Sequence, residues 1–380
     1  MVHRHHLHLG LTEAARRHGV KIHINSRVAT ITSSTSPVSV TTTQSKTYTF
    51  DLLIGADGLK SIVRTHLFPD IKPRAATHNA AYRAVIPYKE VWAKVPESRE
   101  FGNAIDVWSL EKGYVITYPI SGGKDWNTVL SCYRDQPVTD VEENVDMEEV
   151  REYYKDLDPR VRKIIDLIPE TKRWPLLITG PLDSWSNDAK TVVLMGDAAH
   201  SMQNHLAQGA ATSMEDGAFL GRVLGEVVRG VVSLQEAVGI YEKTRMPRAW
   251  IKQQASFVMG QVYMFPPDLA ANRDRSSAAS VAETEAQVAI SNLQTTSKKI
   301  TGPDANTHSW NLWGAPESVQ SIFGYDPEGD ADFAVLKFLT EKTGWDGNTG
   351  VSEGLERKWT GWFVPEKDVG RIGKAKGSKL

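Results

Sequence analysis

The clearest apolar pattern in the chain is a short continuous run, Val192 to Met195, closed by Gly196 and followed by small residues. A run this short with no polar alternation predicts a buried strand of a parallel sheet that delivers Asp197 to its carboxyl end, where open α/β sheets bind ligands. After a loop, Gln208-Gly209-Ala210 opens a stretch of small and apolar residues that predicts a helix. Its free N–H groups and positive dipole end then face the same space as Asp197. One crevice thus offers a carboxylate acceptor and amide donors. A second apolar run ends at Gly55 and turns through Asp57-Gly58 into a short helix backed by Ser61 and Arg64.

Elsewhere the periods change. Leu7, Leu11, Ala14 and Ala15 recur at helical spacing and Gly19 supplies a stop, which predicts an amphipathic helix at the amino terminus. Between residues 22 and 50, Ile22-His23-Ile24, Val28 to Ile31, Val38 to Val40 and Tyr48 to Phe50 alternate in β fashion and predict a small antiparallel meander. Aromatic-rich strands follow from about 70 to 180, including Ala81 to Ile86 and Gly113 to Ile120. Val145 to Ile168 reads as helical. Ser233-Leu234-Gln235-Glu236 has capping-box spacing and starts another helix. The Ser- and Ala-rich stretch Arg275 to Ser297 reads as helix or linker, and the Trp-containing tail carries no catalytic signature.

Composition narrows the function classes. Across 380 residues, 44 Lys and Arg stand against 46 Asp and Glu, and no basic stripe interleaves with aromatics, which argues against a nucleic-acid partner. No apolar run is long enough to span a membrane, no signal peptide opens the chain, and the single cysteine, Cys132, fits a reducing compartment. These features predict a soluble intracellular protein. His3, His5, His6 and His8 have the look of a metal cluster, yet neighbouring helical residues point apart and a helix accounts for them, so no metal site is expected. The final Ser378-Lys379-Leu380 has the form of a peroxisomal address, which implies an import receptor as partner and peroxisomal over cytoplasmic residence.

Gly196-Asp197-Ala198-Ala199-His200, with Gln208-Gly209-Ala210 and Glu215-Asp216-Gly217 behind it, resembles the second flavin motif of the single-component aromatic hydroxylases, the salicylate-hydroxylase-like FAD monooxygenases. Gly55-Ala56-Asp57-Gly58 with Ser61 and Arg64 is similar to that family's other fingerprint. The resemblance spans about the first 260 residues. It implies that Asp197 holds a ribityl hydroxyl of FAD, that the Gly209 and Ala210 amides face the flavin pyrimidine edge, that Asp57 serves the pyrophosphate region, and that Arg4 contacts FAD. It also implies that Arg83 and Tyr118 bind or polarise a phenolic substrate. Tyr114 competes with Tyr118, because strand alternation puts both on one face. Where many relatives carry loop prolines, this chain has Ser201 and Asn204.

The implied fold is α/β: an incomplete FAD-binding Rossmann-like domain over 1–68 and 180–260, an inserted substrate-covering β-sheet domain over 69–179, and a C-terminal helical region over 261–380. The expectation of incompleteness rests on the lack of a Gly-x-Gly-x-x-Gly turn. The implied activity is hydroxylation of an aromatic or related small molecule with FAD, NAD(P)H and O2. The competing readings are a non-redox small-molecule binder and a cofactor-independent cyclase or isomerase.

Overall fold

A computed structural model describes residues 3–33, 37–102, 104–264 and 321–343. Contacts gather the described residues up to 32, 39–49 and 73–178 into one compact unit. Residues 50–72 and the described residues from 179 onward form a second, with a few residues around 33–38. This partition by contact places the amino-terminal segment with the larger sheet, whereas the functional division expected from the sequence assigned it to the flavin part.

The first unit begins with helix α1, Arg4–Arg17, capped by His3, whose Nδ1 accepts from the His5 amide. None of its residues is buried, and Leu9 and Leu11 are each about half exposed, so the expected helix forms but its apolar stripe stays open. Strands β1 (Val28–Thr32), β2 (Val38–Thr42) and β3 (Thr47–Phe50) make a three-stranded sheet in sequence order, with β1 and β2 antiparallel. Val38, Val40 and Thr42 point to its buried side, the period-2 pattern of a one-sided sheet. Ile22 to Ile24 corrects the four-strand expectation: it is irregular, Ile24 is 76% exposed, and Asn25 turns at φ +56°. Alternation alone does not make a strand when no core receives its apolar face.

A five-stranded antiparallel sheet follows, in the order β6 (Asp106–Leu110), β7 (Gly113–Ile120), β8 (Asp125–Tyr133), β5 (Arg74–Pro87), β9 (Arg173–Ile178). Tyr82, Ile86, Val115, Trp126, Leu130 and Cys132 line its core face and pack with residues of α3 (Tyr88–Lys94), α4 (Met147–Tyr153) and α5 (Pro159–Asp166). The helical stretch Val145 to Ile168 is divided between α4 and α5. Asp158 caps α5 through the Arg160 amide and Pro159 occupies its first turn, a start signal that also disfavours helical backbone in the residue before it.

In the second unit β4 (Leu53–Gly55) and β10 (Val192–Leu194) pair in parallel, Leu194 opposite Gly55. β10 is buried throughout, as its unbroken apolar run predicts. Each strand feeds a helix: α2 (Ile62–Leu67) after β4, and α6 (Asp197–His200) then α7 (Gly209–Val228) after β10. α8 (Leu234–Tyr263) opens on the expected capping box, with Ser233 and Glu236 bonding reciprocally. The described part of the carboxyl-terminal region is helical: α9 (Pro327–Thr343) is tied to α7 and α8 by Arg222–Asp332 and Lys342–Glu236. Arg275 to Ser297 and Ser378 to Leu380 lie outside the described residues. Among the described residues no helix is long and apolar enough to cross a membrane, and no group of His, Cys, Asp or Glu is placed to hold a metal ion.

Candidate active site

In the second unit the parallel pairing of β4 and β10 brings the two fingerprint turns to the same edge. Gly55 lets α2 pack close behind its strand, since a Cβ there would sit 2.6 Å from that of Val63. Gly196 turns at φ +62°, and a Cβ on it would approach Ser213 Oγ to 2.8 Å, so backbone conformation and the passage of α7 both demand glycine. Asp197 follows at the start of α6, exposed, with no donor to its carboxylate among the described residues. Gln208 makes no side-chain cap on α7, and Ala210 is exposed in the first turn, so the leading amides of that helix are free to donate outward. A Cβ on Gly209 would lie 4.0 Å from Asp197 Oδ1, which makes carboxylate and helix start neighbours. A flavin needs an acceptor for ribityl hydroxyls and donors for its pyrimidine carbonyls, and these residues fit it.

Glu215 and Asp216 stand behind this edge as support. Asp216 is fully buried and accepts from the Gly196 amide at 3.1 Å and Arg245 Nε at 2.9 Å, with His200 Nε2 at 2.6 Å. Glu215 takes Arg245, Arg248 and Lys252 at 2.8, 2.8 and 2.6 Å. Burial pushes the Glu215 carboxyl up, but hydrogen bonds and charge from Arg248 and Lys252 outweigh it and hold the group at about 2. Lys252 also donates to Gln208 Oε1, at 3.2 Å, so the buried cluster reaches the residue that opens the amide end of α7.

Asp57 is occupied within its own turn. Its Oδ1 accepts the Ser61 hydroxyl at 2.5 Å, and its Oδ2 accepts the Ile62 and Val63 amides at 2.7 and 3.2 Å, so the carboxylate builds the entry to α2. Arg64 is buried and donates to the Leu59 carbonyl at 2.6 Å and the Ala198 carbonyl at 3.0 Å, which locks the two fingerprint turns together.

In the first unit the substrate candidates stand on the sheet face opposite the core. Register puts Tyr118 opposite Asn127 and Asn127 opposite Val85, two residues from Arg83. Arg83 is exposed, with Nε donating to Asn127 Oδ1 at 2.8 Å. Tyr118 is half-buried. Burial pushes its phenol up while the Arg83 cation pulls it down, and the net rise keeps it a protonated donor at neutral pH. Tyr114 is 1% exposed, which favours Tyr118 for contact with a ligand. Arg4 and Arg83 line one cleft of about 450 Å3 with His3, His5, His8 and Val85. Its two arginines give the cleft a cationic lining.

Three residues escaped the sequence reading: Asn127, Thr171 and Lys252. Asn127 carried a signal, a lone amide in the otherwise β-forming run Trp126 to Leu130, but its importance depends on cross-strand register.

Residues 1–256 match the FAD binding domain family. The chain is 32% identical over 264 residues to 3-hydroxybenzoate 6-hydroxylase of Klebsiella oxytoca, covering 69% of this chain and 64% of the relative. It is 34% identical over 263 residues to 3-hydroxybenzoate 6-hydroxylase 2 of Aquipseudomonas alcaligenes, covering 69% and 78% respectively. It thus spans slightly under two thirds of the first relative and more than three quarters of the second. Among solved structures, a salicylate hydroxylase substrate complex superposes with a TM-score of 0.65 at 21% identity, over 85% of this chain and 74% of that one, a likeness of fold. With both fingerprint turns on adjoining parallel strands and the family match running across two thirds of its length, the chain belongs to the salicylate-hydroxylase-like family of FAD-dependent aromatic-ring monooxygenases.

Proposed function

We propose that this chain hydroxylates an aromatic carboxylate or a related anionic phenol, using FAD with NAD(P)H and O2. The observation that carries the substrate class is the Arg83–Tyr118 pair: an exposed, hydrogen-bonded guanidinium beside a protonated phenol on the face of the sheet away from its core. Arg83 pairs with the substrate's negative charge, and Tyr118 donates to its oxygen. Asp197 takes ribityl hydroxyls, and the Gly209 and Ala210 amides stabilise negative charge on the ring with the aligned dipole of a 20-residue helix behind them. Arg4 and Asp57 complete the cofactor contacts. FAD, when bound, supplies the electron transfer from NAD(P)H and the oxygen-transfer chemistry. The names of the relatives point the same way, since hydroxybenzoate and salicylate are aromatic acids.

The test supplies the chain with FAD, NADH or NADPH, and 3-hydroxybenzoate, and follows oxygen uptake and hydroxylated product together. Product in proportion to oxygen supports the reading. Bound FAD that is reduced without product from any aromatic acid in a panel overturns the substrate class. The Ser378-Lys379-Leu380 import reading is proposed alongside it: a fluorescent fusion should collect in peroxisomes and lose that location when the three residues are deleted.

A further inference from the structure

We infer that Asn127 is a positioning residue that presets the Arg83 guanidinium for an anionic substrate, an inference that rests on the anionic-substrate reading above. Arginine Nε–H can only donate, so the Asn127 amide must present its oxygen to it, and the 2.8 Å contact fixes the amide orientation. The consequence is costly for Asn127: it is 0% exposed, and its Nδ2 has no partner among the described residues. A buried amide with its donor unpaired destabilises the fold, so its one made bond is the feature that explains it. The root of Arg83 is fixed as well. The Thr171 hydroxyl donates to the Arg83 carbonyl at 3.0 Å, and its oxygen accepts the Arg83 amide at 3.3 Å. With backbone and Nε both held, the two terminal nitrogens of the fork are left for a carboxylate or phenolate on the same face as Tyr118. Ordering a long side chain before the ligand arrives removes that entropy cost from binding.

The test is a double-mutant cycle read by calorimetric titration of the FAD-supplied chain with 3-hydroxybenzoate and its neutral analogue 3-hydroxybenzamide. Arg83→Ala should cost benzoate binding on the order of tenfold or more relative to benzamide. Asn127→Leu, which keeps the branched shape of the side chain without its polar atoms, should weaken benzoate by about three- to tenfold and leave benzamide within about twofold. Asn127→Asp keeps an acceptor for Nε and should keep the guanidinium ordered, while its added negative charge weakens benzoate more than benzamide. In the Arg83→Ala background Asn127→Leu should change nothing further. Equal losses for the two ligands in Asn127→Leu, or full additivity in the cycle, overturn the positioning role while the anionic-substrate reading survives. If Arg83→Ala treats both ligands alike, that reading falls and takes this one with it. A ligand-free measurement stands beside the cycle: the Arg83 Nε–H resonance should be protected from exchange in the unmodified chain and lose protection in Asn127→Leu, or in Asn127→Ala should the Leu variant not fold. A resonance equally exposed in both overturns the inference on its own.

Discussion

At the scale of single residues, Asp197 combines exposure, a missing donor and adjacency to the free amides of α7. Asp197→Ala should therefore weaken FAD retention by about 10- to 100-fold, the loss expected for a hydrogen bond to a charged group, while the circular-dichroism spectrum stays native. Unchanged flavin affinity in a folded variant would remove Asp197 from the site. Gly196→Ala acts differently, through the backbone: a positive φ and a 2.8 Å clash with Ser213 predict a loss of about 1–3 kcal/mol in urea unfolding, and a neutral result would mean the turn can relax. The positions of both residues were legible in the sequence because they are set within a few residues of a strand end. Asn127 was not, because what it does is decided by a partner 44 residues away.

At the scale of elements, the strands that carry the site were readable wherever their apolar face meets a core, as in β5, β7 and β10. Expectation and structure part where local pattern lacks tertiary support, at Ile22 to Ile24, while the helical stretch Val145 to Ile168 restarts at Asp158-Pro159. The docking of α7 on α8 was only half legible. The capping box announces the start of α8, but the convergence of Arg245, Arg248 and Lys252 on Glu215 requires the two helices to be packed. That packing makes Glu215 sensitive. Glu215→Gln removes the shared anion and leaves three cations with only Asp216 to offset them, so a loss of about 3–5 kcal/mol is expected by chemical denaturation. A loss below about 1 kcal/mol would show the cluster to be solvated and replaceable.

At the scale of the whole molecule, a net charge of −2 produces little self-repulsion near neutrality, so the pH dependence of stability falls to groups whose proton affinity changes on folding. Glu215 is held at about 2 in the fold against an ordinary value of 4.5. Above about pH 5 it is ionised in both states and its contribution is complete; as pH falls the unfolded chain takes the proton first, and by about pH 2 the contribution, on the order of 3 kcal/mol, is gone. Glu236 is also drawn down to about 2, chiefly by Lys342 and then by Ser233, but it is more open to solvent than Glu215, so added salt at about 0.5 M should screen its share and leave that of Glu215. Lys252 adds a limb of the same slope at alkaline pH. Burial, with Arg248 behind it, lowers the ammonium to about 8 from 10.5, so between those values the unfolded chain holds more protons and stability rises with pH. Urea unfolding across the range should show a fall from about pH 5 to about pH 2 that persists in salt and flattens in Glu215→Gln, and a rise above about pH 8 that disappears in Lys252→Met. An acid limb unchanged by Glu215→Gln would place the pH response outside the α7–α8 cluster, and with it the electrostatic anchor proposed behind the flavin edge.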